Sequence, residues 1–150
     1  MPHFRTTDII PAQRIGDIYI GMPYHELQAW GLDGFQCKRW GTELQHMTLV
    51  GDNIKIWLRG DLLTVEQIMA FGEYPGFFFG KTRIGIGSQL SEAVSVGYEI
   101  FDNEEDDIYQ LRGIEGIGFE MGDTSDDYTW DELTAPIDSI IVFNPKFSFF

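Results

Sequence analysis

The sequence predicts an α+β fold: a tandem repeat of two β-α-β-β-β units, with a mainly antiparallel sheet and short helices packed on one face. Three observations carry this. Ile18-Tyr19-Ile20-Gly21 and Ile84-Gly85-Ile86-Gly87 are the same alternating run ending in glycine, 66 residues apart. The offset persists through Glu26 and Glu92 and through Gly31 and Gly97, across strand, turn, helix and helix stop. Beyond them, β-branched and alternating segments recur in both halves, which is how half-buried antiparallel strands read. A chain of 150 residues is one domain by size. The repeat units span about 15–73 and 81–144, joined by 74–80.

In order, residues 1–14 form a lead-in whose Ile9-Ile10 run is closed by Pro11. The first unit has a strand at Ile18–Ile20, then Pro23 at a helix start, where its missing N–H is harmless. Tyr24, Leu27 and Trp30 recur on one helical face, and Gly31 fits the C-cap. The signal weakens through Phe35–Trp40. Met47–Val50 and Ile54–Leu58 flank the turn Gly51-Asp52-Asn53 and predict a hairpin. Val65, Ile68 and Phe71 have helical spacing, but their β-branched counterpart Ile137–Phe143 predicts strands for both.

Phe77-Phe78-Phe79 is expected in a linker packed between the units. The second unit then repeats the plan, with a strand at Arg83–Ile86, Ser88 as N-cap, and a helix to Val96 turning Leu90, Ala93 and Val94 inward. Strands follow near Ile108–Leu111, Gly116–Glu120 and Ile137–Phe143. Between its last two strands the second unit has gained nine residues, because the offset slips from 63 (Ile54 to Ile117) to 72 (Ile68 to Ile140). The gain falls within the loop 122–132, and elaborated loops on a rigid scaffold often carry function.

Charge is the strongest compositional signal. The net charge is −14, and residues 1–75 hold six Lys/Arg and nine Asp/Glu whereas 76–150 hold four and fifteen. Such a balance argues against a nucleic-acid binder, which needs a basic surface. No apolar run reaches the length of about 18 residues that spans a membrane. The N-terminus lacks the pattern of a signal peptide, and one cysteine suits a reducing compartment, so a cytoplasmic protein is expected. Cys37 itself reads as a small buried apolar residue.

Catalytic signatures are sparse. His3, His25 and His46 lack metal-ligand spacing, and His25 reads as an outward helical position. No Gly-x-Ser-x-Gly occurs, and Gly85-Ile86-Gly87 lacks the third glycine of a dinucleotide loop. Nothing in the sequence positions Cys37 and His46 as a nucleophile–base pair. Carboxylates are numerous enough to leave an acid/base pair open, although they cluster in loops rather than around an apolar cleft. The run Asp102–Asp107 begins like a calcium loop, but Asp107 stands where the sharp-turn glycine belongs and Gly113 where the bidentate Glu belongs. No cofactor or metal is expected.

The pattern Ile-x-Ile-Gly-x-x-x-x-Glu, helix, Gly, a hairpin with Ile-x-(Ile/Phe), then Ile-x-x-Ile-x-x-Phe resembles small acidic bacterial immunity proteins of toxin–immunity systems. The likeness covers Ile18–Phe71 and Ile84–Phe143. It implies a cytoplasmic protein without enzymatic activity that binds and blocks one cognate toxin. No binding residue carries over by position.

Charge complementarity supplies the candidates instead. The partner is expected to be a basic protein toxin, such as a nuclease, with no role for nucleic acid or membrane. The expected contacts are Asp102, Glu104, Glu105, Asp106 and Asp107 on one acidic edge. The inserted loop would add Asp123, Asp126, Asp127, Asp131 and Glu132, with Tyr128 and Trp130 as desolvated anchors. Two other readings stay open. One is a ligand-binding or enzymatic module with a pocket between the units using Trp30, Trp40 and Trp57. The other is a self-associating subunit using Phe77–Phe79 or Phe147–Phe150.

Overall fold

The computed structural model describes residues 5–104, 108–122 and 131–146. From the N-terminus the elements are β1 (Ile9–Ile10), β2 (Arg14–Ile15), β3 (Ile18–Tyr19), α1 (Tyr24–Trp30), β4 (Gln36–Trp40), β5 (His46–Val50), β6 (Ile54–Arg59) and β7 (Thr64–Phe71). The chain continues with β8 (Phe77–Phe79), β9 (Arg83–Gly85), α2 (Leu90–Ser95), β10 (Ile100–Asn103), β11 (Ile108–Leu111), β12 (Ile117–Met121) and β13 (Ile137–Phe143). The fold is therefore α+β and mostly antiparallel, as the alternation predicts.

An eight-stranded antiparallel sheet, in the order β10-β11-β12-β13-β7-β6-β5-β4, forms one layer. The second layer combines the two helices with a small sheet ordered β3-β2-β1-β8-β9, in which β1 and β8 run parallel. One apolar cluster joins the layers: Ile54, Ile56 and Leu58 of β6, Phe119 of β12 and Ile140 of β13 meet Leu27 of α1, Leu90 of α2, and Ile18 and Ile84 of the small sheet. In β6 the intervening Lys55, Trp57 and Arg59 point to the other face, as the period of two requires.

Both halves hold their strand-to-helix corners with the same bonds. Gly21 N–H donates to Val65 O at 2.7 Å, and Val65 N–H donates to Met22 O at 2.9 Å. Likewise Gly87 N–H donates to Ile137 O and Ile137 N–H to Ser88 O, each at 2.8 Å. Gly21 and Gly87 have φ of 88° and 89°, the left-handed region that glycine enters without steric cost. At the centre of the large sheet Met69 of β7 pairs with Ile141 of β13, and from that seam the strands run outward in reverse chain order on both sides, β13-β12-β11-β10 and β7-β6-β5-β4.

Several expectations need correction. Each helix is followed by four strands, not three, the additional ones being β4 and β10 at the two edges of the large sheet. Strands β1, β2, β3, β8 and β9 form a second sheet instead of joining a single one. Phe77–Phe79 is strand β8 rather than a linker, with Phe78 buried and Phe79 61% exposed. Gln89, not Ser88, is the N-cap of α2, and its N–H donates to Glu92 Oε2 at 3.3 Å. Ser88 Oγ instead accepts from Gly85 N–H at 3.0 Å, tightening the preceding turn. The helix ends at Ser95, and Val94 is 44% exposed because a six-residue helix turns only Leu90 and Ala93 onto the core. Cys37 is exposed on the edge strand β4, where neither face is covered.

Candidate functional site: an acidic sheet end and an aromatic groove

Strand register brings the strand ends joined by the acid-bearing connections to one end of the large sheet. Tyr109 pairs with Phe119, so the turn after β10, which carries Glu104, lies beside the end of β12. Met121 pairs with Ile137, which places the residues before β13, including Asp131 and Glu132, at that same end. Ser139 pairs with Phe71, and Phe71 N–H donates to Asn53 O at 3.0 Å, extending this end into the first half. The connections leaving the strands here, 51–53, 72–76, 104–107 and 122–136, contain eleven Asp or Glu in sequence and no Lys or Arg.

Of the expected contact residues, Asp102 lies on the edge strand β10 and is exposed, as are Glu104, Asp131 and Glu132. Asp131 Oδ1 accepts from Leu133 N–H at 2.9 Å, and its backbone oxygen accepts from Ala135 N–H at 2.8 Å, which shapes the approach to β13. The approach is tied to α2, since Ser91 N–H donates to Leu133 O at 2.8 Å. Glu105, Asp106, Asp107, Asp123, Asp126, Asp127, Tyr128 and Trp130 lie outside the described residues.

The uncovered face of the large sheet holds a second feature. A groove of about 570 Å³ runs over it with Met69, Ile108 and Ile141 among its lining and Trp40, Trp57 and Lys55 above them. Ile108 and Ile141 are buried in a small apolar cluster with Phe143 and Met69, separate from the main core. Lys55 Nζ lies 4.6 Å from the Trp57 ring centroid, a cation–π distance. Trp40 stacks on His46 with centroids 4.3 Å apart, and its Nε1–H donates to Thr48 Oγ1 at 3.0 Å. Arg59 is turned toward Glu66 at 3.6 Å.

The groove takes Trp40 and Trp57 but not Trp30. That residue packs on the core side, with Nε1–H donating to Asp17 Oδ2 at 3.2 Å. The sequence carries no signal that singles out Lys55; its place beside Trp57 on the groove face depends on the β5–β6 register Thr48↔Trp57 and Val50↔Lys55. Among the described residues no three or more His, Cys, Asp or Glu are grouped to hold a metal ion. The tyrosines whose phenols are held above their ordinary value, Tyr19 and Tyr74, do not line the groove. No helix among the described residues is long and apolar enough to cross a membrane.

Comparison of the chain with family models, curated proteins and solved structures finds no match.

Proposed function

We propose that the chain is a non-catalytic immunity protein that binds a basic protein toxin through the acidic end of its large sheet and blocks the toxin's active-site surface. The observation that carries this reading is that the connections at one sheet end hold, in sequence, eleven acids and no base. A single-sign rim of this kind accelerates encounter with a cationic partner and disfavours other partners. Asp102, Glu104, Asp131 and Glu132 would face basic residues of the toxin, occupying the place of an anionic substrate. The remaining candidates of the acidic run and inserted loop would extend the same contact.

The tandem repeat belongs to the same proposal, with one more strand per unit than the sequence predicts. It is supported by the paired bonds at Gly21 and Gly87 and by the central Met69–Ile141 pair, which stand 66 and 72 residues apart in sequence. On this view the nine-residue insertion is where the second unit departs from the first to acquire its partner.

The test is capture of the tagged protein's partner from its native lysate at low and raised salt, alongside a variant carrying Asp102→Asn, Glu104→Gln, Asp131→Asn and Glu132→Gln. A basic enzyme that is retained, inhibited, and bound at least about tenfold more weakly by the variant is expected, since complementary charges at an interface govern association. Equal affinity of the variant for that enzyme would remove the acidic end from the contact.

A further inference from the structure

We infer that the edge strand β4, with the groove beside it, is a receptor for an extended acidic segment of a protein partner, which adds to the large sheet as a ninth strand. The site is independent of the acidic end, since it lies at the opposite sheet edge from β10 and has the opposite charge.

Among the described residues the edge is open. There β4 pairs only with β5, all five of its residues are exposed, and the N–H and C=O groups turned away from β5 are available to another strand. Trp40 and Lys38 lie on alternate positions, opposite His46 and Thr48, so they share the uncovered face with Trp57. A second hollow of about 490 Å³, lined by Lys38, Trp40, Thr48 and Lys55 among others, meets the groove at Trp40 and Lys55. An added strand would therefore find pockets for alternate side chains on one face, the arrangement by which edge-strand receptors select their ligands.

Charge selects the occupant. The chain holds 24 acids and 10 Lys/Arg, yet among the described residues neither Lys38 nor Lys55 forms an ion pair. No acid lies on β4, while Arg39 is already engaged, its guanidinium donating to Leu44 O. A lysine on an edge strand commonly guards against unwanted pairing. Here two lysines line the same hollow as an indole that is 41% exposed. The matching segment has a carboxylate facing Lys38 and Lys55 and, two residues away on the same face, an aromatic or large apolar side chain against Trp40.

The experiment uses the full chain and a synthetic peptide in which every second residue is Thr and the intervening positions alternate Phe and Glu. One face of that extended peptide then carries both required groups. Up to millimolar peptide should change tryptophan fluorescence, slow amide exchange within residues 36–40, and bind more weakly as salt rises. Lys38→Glu with Lys55→Glu, both at surface positions, should weaken binding about tenfold or more while leaving the circular dichroism spectrum unchanged, as reversal of complementary charges does. The same peptide with Lys in place of Glu should not bind. Absence of binding, equal binding of the lysine peptide, or binding that leaves 36–40 exchange unaltered would each overturn the inference. So would slow exchange at 36–40 without peptide in a sample that sediments as a dimer, because a second copy would then be the occupant.

Discussion

Tyr74 shows how one residue ties the lead-in to the rest of the chain. It is 3% exposed, and its hydroxyl donates to Thr7 O at 2.7 Å, fastening the segment before β1 to the connection between β7 and β8. Burial holds its phenol far above the ordinary value, reinforced by the charges of Asp17 and Asp8 and opposed by Arg14. The sign follows from linkage: the folded state keeps the proton longer than the unfolded chain, so the contribution is complete below the unfolded phenol's pKa of about 10 and declines as pH rises above it. Tyr74→Phe should abolish that alkaline decline and, at neutral pH, cost about 1 kcal/mol for the lost hydrogen bond. Chemical denaturation of both proteins at neutral and alkaline pH reads both effects. An unchanged alkaline slope in the variant would show that Tyr74 is not the group responsible.

The corners between small sheet and helices make a matched pair at the scale of elements. Gly21 and Gly87 share a left-handed φ, and a Cβ at either would meet open space, so an alanine there meets backbone strain and no clash. Gly21→Ala and Gly87→Ala should each destabilise by about 1–2 kcal/mol, and by similar amounts, since the penalty is intrinsic to the conformation. Thermal unfolding of the two variants compares them directly; a large disparity would mean that the corners differ in the support they receive. Elements like these are legible in sequence because period and glycine placement coincide: β5, β6 and β9 fall where alternation puts them, and β7 and β13 where the β-branched run Ile137–Phe143 and its counterpart put them. β4 was not legible, because Gln36-Cys37-Lys38-Arg39-Trp40 is exposed on both faces and an uncovered edge leaves no alternation to read. The acidic end was partly legible as a charge run, but its gathering of Asp52 and Glu73 with Glu104 and Asp131 depends on pairing between strands distant in sequence. The groove was hidden for a related reason, since its two sides, Trp57 and Ile108, meet only through the β7–β13 seam.

Across the whole molecule, charge and layering set the balance between stability and binding. The large sheet is covered on one face, where its core residues meet the helices and small sheet, and the connections at one end hold eleven of the 24 acids in sequence and no base. Seven inter-strand steps of about 4.8 Å make that end roughly 34 Å wide. The acids described along that end, Asp52, Glu73, Glu104, Asp131 and Glu132, lie within one another's fields at 0.01 M salt, where the screening length is about 30 Å, and much less so at 0.15 M, where it is about 8 Å. Attraction does not offset this: the two ion pairs among the described residues, Arg59–Glu66 and Arg112–Glu99, are solvent-accessible and contribute little. The isolated protein should therefore gain stability as salt rises over that range, by about 1 kcal/mol or roughly 2–4 °C in Tm for a domain of this size. Asp52→Asn, Asp131→Asn and Glu132→Gln together should raise Tm at low salt and flatten its salt dependence, because they remove the repulsion that salt screens. Calorimetry at the two ionic strengths decides the matter: Tm falling with salt would mean that attractive contacts dominate the acidic end. A rising Tm that the triple variant flattens would show that the acids are retained at a cost to the free protein, a cost that a basic partner relieves by supplying the missing countercharge.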